Sequence, residues 1–441
     1  MSQRSALLGL GVGLALADSS IVTLAVPEIL GRFDVGITTV AWVLTSFNLV
    51  LALVAVPAAY VSRRWPREAF LVGVLLFAGV SLACGLAPSF DVLVGARCVQ
   101  AVGAALIVTA ALDLLSQIEG SGERAVRAWV AAGVLGAALG PAAGGILTQL
   151  LGWESIFLAQ VPVALTLLLA VRGVAARPVA APAGRPSITA NAALLLVAGG
   201  LVAALFLVVL LLVDGWGMSP AAAGLVVTVM PVTAIVVGRV RPRSLGIVQG
   251  VACGVTLLAG GLAALALMPR AGWGWTVAPQ VLVGAGLGLT VAGLTEAALR
   301  DRTDQVVHGG WTLAARHAGV VLGLLLLAPV LTTALEENRD EAIRAGAAIV
   351  LDSTIPPLDK LGVAQDVLDE VDRSSELGEL PDVQRAFEGR PKDDVWLDLV
   401  AGLQEQLDRA VTSAFSGPFL LAAALTLLGL VPVFFMRRRV A

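Results

Sequence analysis

Asp18 lies in the middle of an apolar stretch and is followed by Ser19, Ser20 and Thr23. Arg97 and Gln100 stand three residues apart in a second such stretch, and Arg316-His317 lies in a third. A charge in hydrocarbon costs roughly 2.5–3.5 kcal/mol on insertion scales, so a chain that retains one has a use for it. Desolvation favours the protonated form of a carboxylate, and an acid whose counter-charge depends on conformation can link a proton to a rearrangement. Asp18 is the candidate proton carrier, with Arg97 and Gln100 one helical turn apart as its polar partners. A static lock of charge and hydrogen bonds would use the same residues. His317 either titrates near neutral pH or holds a neighbouring helix through a hydrogen bond, and with Arg316 it would line the second part of the pathway. Asp113 and Glu296 stand at the ends of apolar stretches, where solvation or ion pairing is expected.

Several chemistries are missing. The sequence holds no Walker A loop, HExxH, GxSxG or CxxC, and only two histidines. ATP-driven, metal-dependent and nucleophilic enzyme chemistry therefore lacks its residues, and no cofactor, metal or nucleic-acid partner is expected. Cys84, Cys98 and Cys253 all fall in apolar stretches and read as small packing residues.

The elements that hold these residues are membrane helices. Of 441 residues, 58% are hydrophobic and 14% charged, with a mean hydropathy of +0.90. Runs of about 20 apolar residues, long enough to cross roughly 30 Å of hydrocarbon, recur twelve times, the first near 6–30 and the last near 413–436. The first is expected to stay in the bundle rather than be removed as a leader. Arginines gather between alternate runs, at Arg63, Arg64 and Arg67, at Arg124 and Arg127, at Arg239 and Arg241, and at Arg437, Arg438 and Arg439. The opposite short loops hold only Arg32 and Arg270. The positive-inside rule then puts both termini of a multi-pass membrane protein in the cytoplasm, and a bacterial inner membrane is the expected location. Trp42, Trp153, Trp216, Trp273 and Trp275 read as interfacial anchors.

The chain divides into a first six-helix half (1–173), a cytoplasmic linker rich in Pro, Ala and Arg (174–189) and five further spans (190–334). An outer insertion (335–411) and a twelfth span with a basic tail (412–441) follow. The insertion carries 19 acids against 8 basic residues. Ala342, Ile343, Ala347, Val350 and Leu351, and again Leu399, Leu403, Leu407 and Val411, keep helical spacing. Two spans extended outward are expected, with short helices near 358–371 and 382–388 between them. The segment joins two spans, gates the exit or docks an extracytoplasmic protein.

Gly133, Gly136, Gly140, Gly144 and Gly145, with Pro141, occupy one run. Such a run is tolerated in lipid, where small residues let helices approach closely. A kinked helix at a close contact between the two halves is expected there.

Five segments together resemble the major facilitator superfamily, and within it the drug:proton antiporter branch of DHA2 type. They are Asp18-SSIVTLAV-Pro27, Arg97-CV-Gln100-AV-Gly103, the glycine run, Gly152-Trp153-ESIFLAQV-Pro162 and Arg316-HAGVVLG-Leu324. The resemblance implies an all-α integral membrane fold of twelve helices in two halves, working by alternating access. It also implies proton-coupled export of hydrophobic small molecules by a monomer in contact with membrane lipids. An exporter of lipids that uses the insertion as exit path, and a non-transporting receptor or scaffold, are the alternatives. One segment departs from the pattern. The gate loop between the second and third spans, Ala58-AYVSRRWPRE-Ala69, has Ser62 or Arg63 where the family places an acid, so its charge relay is weakened or rewired.

Overall fold

The computed structural model describes residues 2–172, 184–241, 245–268, 272–300, 302, 304–376, 385, 387 and 394–437. Most of the expected linker and of the expected helix near 382–388 lies outside these residues. Twelve helices among them are long and apolar enough to cross a membrane. They are α1 (Gln3–Thr23), α2 (Ile37–Arg64), α3 (Pro66–Gly85), α4 (Phe90–Glu119), α5 (Gly122–Leu151) and α6 (Glu154–Val171). The others are α7 (Ile188–Gly215), α8 (Pro220–Val240), α9 (Ile247–Ala266), α10 (Trp273–Leu299), α11 (Gln305–Asp352) and α12 (Asp394–Met436). Helices are the outcome because hydrocarbon offers no partner to a free N–H or C=O.

Local signals set several ends. The side chains of Ser2, Ser89, Ser121 and Asp304 accept backbone N–H bonds at the starts of α1, α4, α5 and α11. The first apolar run is shorter as a span than expected, because the chain breaks at Leu24-Ala25 and restarts as a short helix, Val26–Phe33, with Pro27 in its first turn. Asp34 then adopts a left-handed φ of 52° and turns the chain into α2.

Helix pairs repeat six spans apart. In the first half α1 packs on α5, α3 on α4 and α2 on α4; in the second, α7 packs on α11, α9 on α10 and α8 on α10. The two most extensive contacts that join the halves among the described residues, α2 with α11 and α5 with α8, are related by the same offset. This is the signature of parallel six-helix repeats about an axis along the membrane normal. Glycines mark both copies: a methyl group on Gly73 would crowd the Gly103 carbonyl, and one on Gly254 the Gly286 carbonyl.

The glycine run corrects the expectation. Gly133, Gly136, Gly140 and Gly144 face Leu16, Gly13, Ser20 and Ile21 of α1, in the same half. The C-terminal end of the run reaches across, where Gly145 meets Pro220 and the Pro141 carbonyl meets Gly224 on α8. Adjacent glycines on one helix point different ways, so one run serves two neighbours. Trp153 is no interfacial anchor; it is buried, edge-to-face with Phe33 and Phe157.

α11 continues well past the membrane length as one 48-residue helix, and α12 begins with an amphipathic segment, Asp394–Ala414. A helix at Pro357–Glu376 lies between them. Val350, Ile355, Val363, Phe387, Trp396, Leu399 and Leu403 form a core of their own, separate from the bundle.

Candidate transport site

Asp18 and Arg97 meet inside the first half. Arg97 Nη1 lies 2.6 Å from Asp18 Oδ2, and both side chains are fully buried. α1 supplies the acid and α4 the base, because α1 packs against α4 as well as α5. Arg97 Nη1 also donates to Gln100 Oε1 (2.6 Å) and its Nε to the Val43 carbonyl (3.1 Å). The guanidinium lies over Phe47 (4.2 Å to the ring centre) and near Phe157 (5.6 Å). Rings facing a desolvated cation add up to about 2 kcal/mol.

Two polar residues that the charges alone do not announce complete the cluster. Gln160 Nε2 donates to Asp18 Oδ1 (3.0 Å), and Gln100 Nε2 donates to Gln160 Oε1 (3.1 Å) and to Ser81 Oγ (2.8 Å). The Ser81 hydroxyl donates in turn to the Phe77 carbonyl (2.7 Å). Asp18 thus holds a charge partner and a separate neutral donor. Gln160 stands in the Gly152–Pro162 segment, where the family resemblance expects Asn. Ser81 resembles any small residue of an apolar helix and left no signal.

Arg316 and His317 part company. His317 Nδ1 lies 2.6 Å from Asn48 Oδ1, across the line between α11 and α2. Asn48 spends its amide N–H groups on the Leu44 carbonyl (2.7 Å) and Ser19 Oγ (3.1 Å), so the ring nitrogen is the donor. Ser19 neighbours Asp18 in sequence, and the two halves are thereby tied at the level of the acid. Arg316 instead lines a cavity between the halves.

In the expected gate loop a basic residue finds its acid in the other half. Arg63 pairs with Asp304 at 3.0 Å, and Asp304 also caps α11 by accepting from Val307 N–H (3.1 Å). A basic residue at the end of α2 therefore latches onto an acid on the opposite half. Below it, Ala55 and Ala59 abut Gly310, and Leu112 abuts Gly309. Of the other expected gate residues, Arg64 lies 6.0 Å from the Trp65 ring and Arg67 is exposed. Asp304 was hidden in the sequence among the loop charges Arg300, Asp301 and Arg302. Asp113 is buried rather than solvated, whereas Glu296 pairs with Arg300 at 2.7 Å. No group of three or more His, Cys, Asp or Glu suited to a metal occurs among the described residues.

The sequence profile of the Major Facilitator Superfamily matches residues 8–324. The chain belongs to the major facilitator superfamily. Solved structures of that fold agree: a bacterial homologue of the human lysosomal transporter Spinster, in an inward-facing and unoccupied conformation, aligns over 98% of both chains. Its TM-score is 0.64 at 16% identity. Among relatives by sequence, the multidrug resistance protein Stp of Mycobacterium tuberculosis is 39% identical over 170 residues, 36% of this chain and 31% of that protein. The drug efflux pump JefA of the same species is 37% identical over 171 residues, covering 38% and 34%. The tetracenomycin C resistance and export protein of Streptomyces glaucescens is 37% identical over 163 residues, covering 36% and 30%. The chain spans about a third of the length of the relatives it matches. It is a multi-pass membrane protein of a transporter family.

Proposed function

We propose that the protein is a secondary active transporter that exports lipophilic small molecules in exchange for protons. The observation that carries this reading is the buried Asp18–Arg97 pair with its neutral donor Gln160. A proton arriving at Asp18 cancels the charge that compensates Arg97 and leaves a cation desolvated between two rings. The pair then separates unless the surrounding helices move. α1 carries the acid, packs through glycines on α5, and is tied through Ser19, Asn48 and His317 to the other half. Strain at the pair is thus delivered where the halves meet.

Arg63–Asp304 would hold the face that carries the termini closed in one state and open in the other. The concentration of arginines on that face supports its being cytoplasmic, in a bacterial inner membrane. Export rather than uptake is supported by relatives described as efflux and export proteins.

The test is transport in proteoliposomes with an imposed pH gradient. Asp18→Asn is expected to abolish gradient-driven transport while leaving downhill exchange of the same compound measurable. Undiminished gradient-driven transport in Asp18→Asn overturns the reading.

A further inference from the structure

Among the described residues Arg316 is a charge without a partner. Its helix puts it in a small cavity between the halves, walled by Leu16, Trp129 and Val134 on one side and by Leu194, Val291 and Leu313 on the other. Among the described residues nothing pairs with the guanidinium. The nearby hydroxyls of Thr295 and Thr312 donate to the Val291 and His308 carbonyls, at 2.8 and 2.9 Å. They offer no negative charge.

Other charges within the bundle are held elsewhere. Asp18 is held by Arg97, Asp304 by Arg63 and Glu296 by Arg300. The buried Asp113 adjoins Leu112, which touches Gly309. Gly309 is two helical turns from Arg316, on the side of the Arg63–Asp304 latch, or about 10 Å along α11 at 1.5 Å per residue. The cavity itself is therefore an apolar vessel with one uncompensated positive charge.

We propose that Arg316 recognises the cargo's head group, and that the cargo is a lipophilic monoanion such as a carboxylate or sulfonate borne on an aromatic or alkyl body. This rests on the transport reading above and names the substrate class for it. An anion completes the guanidinium through a bidentate, charge-assisted pair while its body covers the leucines and valines. A lipophilic cation meets a like charge in the same space. The acid that would attract it, Asp18, is already committed to Arg97.

The experiment uses the full chain in lipid nanodiscs at pH 7.4 and three probes that share one ring system. These are 1-naphthaleneacetate, 1-naphthaleneethanol and 1-naphthaleneethylamine, titrated by calorimetry. The carboxylate is expected to bind at least tenfold tighter than the alcohol, and the alcohol tighter than the ammonium. Arg316→Gln is expected to erase the gap between carboxylate and alcohol while leaving alcohol affinity within twofold; Arg316→Lys keeps part of the gap. The proposal is overturned by tightest binding of the ammonium, by a gap that survives in Arg316→Gln, or by no binding of any probe to the unaltered protein. Should Arg316→Gln not fold, the charge series on the unaltered chain and on Arg316→Lys still decides. Binding is read without a gradient, so a failure of proton-driven transport would sink the transport reading and leave this result standing.

Discussion

Neutralising Asp18 in place tests how strongly the buried pair holds the first half together. Asp18→Asn keeps the shape of the side chain and leaves Gln160 an amide oxygen to donate to, but it removes the charge that Arg97 faces at 2.6 Å. Arg97 keeps its bonds to Gln100 and Val43 and its place over Phe47. These contacts hold the cation in position without balancing it. Removing one member of a fully buried pair costs about 3–5 kcal/mol, because the other charge is left desolvated. The retained donor bonds and rings put the expected loss near the lower bound, about 3 kcal/mol, which is more than a hundredfold in the unfolding equilibrium. Arg97→Gln alone should cost a similar amount, since it strands the carboxylate. The double variant Asp18→Asn/Arg97→Gln leaves no charge at all and should be less damaging than the two singles summed, by about 2–3 kcal/mol. The assay is reversible unfolding in mixed micelles, followed by tryptophan fluorescence and analysed as a double-mutant cycle. A coupling below about 0.5 kcal/mol, with additive singles, refutes the pairing on which the proton switch depends. The same energy sets the scale of that switch, because a proton on Asp18 makes the same change of charge as the asparagine.

Four further outcomes follow from the geometry. At the gate, Arg63→Asp should raise thiol labelling of a cysteine placed at Ala59, and the exchange Arg63→Asp/Asp304→Arg should return it toward the starting value; equal labelling in all three leaves the latch without a role. On α5, Gly136→Val drives a side chain into the backbone of Gly13 and should cost about 1–3 kcal/mol or prevent folding, whereas Gly31→Ala, with open space around it, should be neutral in thermal unfolding. In the separate core of the insertion, Trp396→Ala should cost about 3–5 kcal/mol locally, seen as faster amide exchange across residues 394–414 with the exchange of α1 to α10 unchanged. Finally, burial and the nearby Glu154 raise the proton affinity of Glu28 despite an opposing bond from the Trp153 backbone. A raised carboxylate binds more protons folded than unfolded, so stability should fall as pH climbs from about 4.5 through its higher folded value. Glu28→Gln should remove that slope in thermal midpoints taken across the window; an unchanged slope contradicts the assignment.

Much of the scaffold was legible in one dimension because lipid imposes a simple rule on any segment that crosses it. An apolar run of sufficient length must become a helix, so the twelve spans and the extended eleventh and twelfth helices could be read from pattern alone. Intramembrane charge likewise announced Asp18, Arg97 and Arg316, because its cost is paid whatever the fold. Partnership is another matter. Which helix faces which depends on packing between residues more than a hundred positions apart. Only the tertiary structure could bring Gln160 to Asp18, Asp304 to Arg63 and Asn48 to His317, and turn most of the glycine run toward α1 instead of the other half. It also separated two neighbours that look alike on paper. Successive residues on a helix point about 100° apart, so His317 ties the halves together while Arg316 stands alone in the space between them.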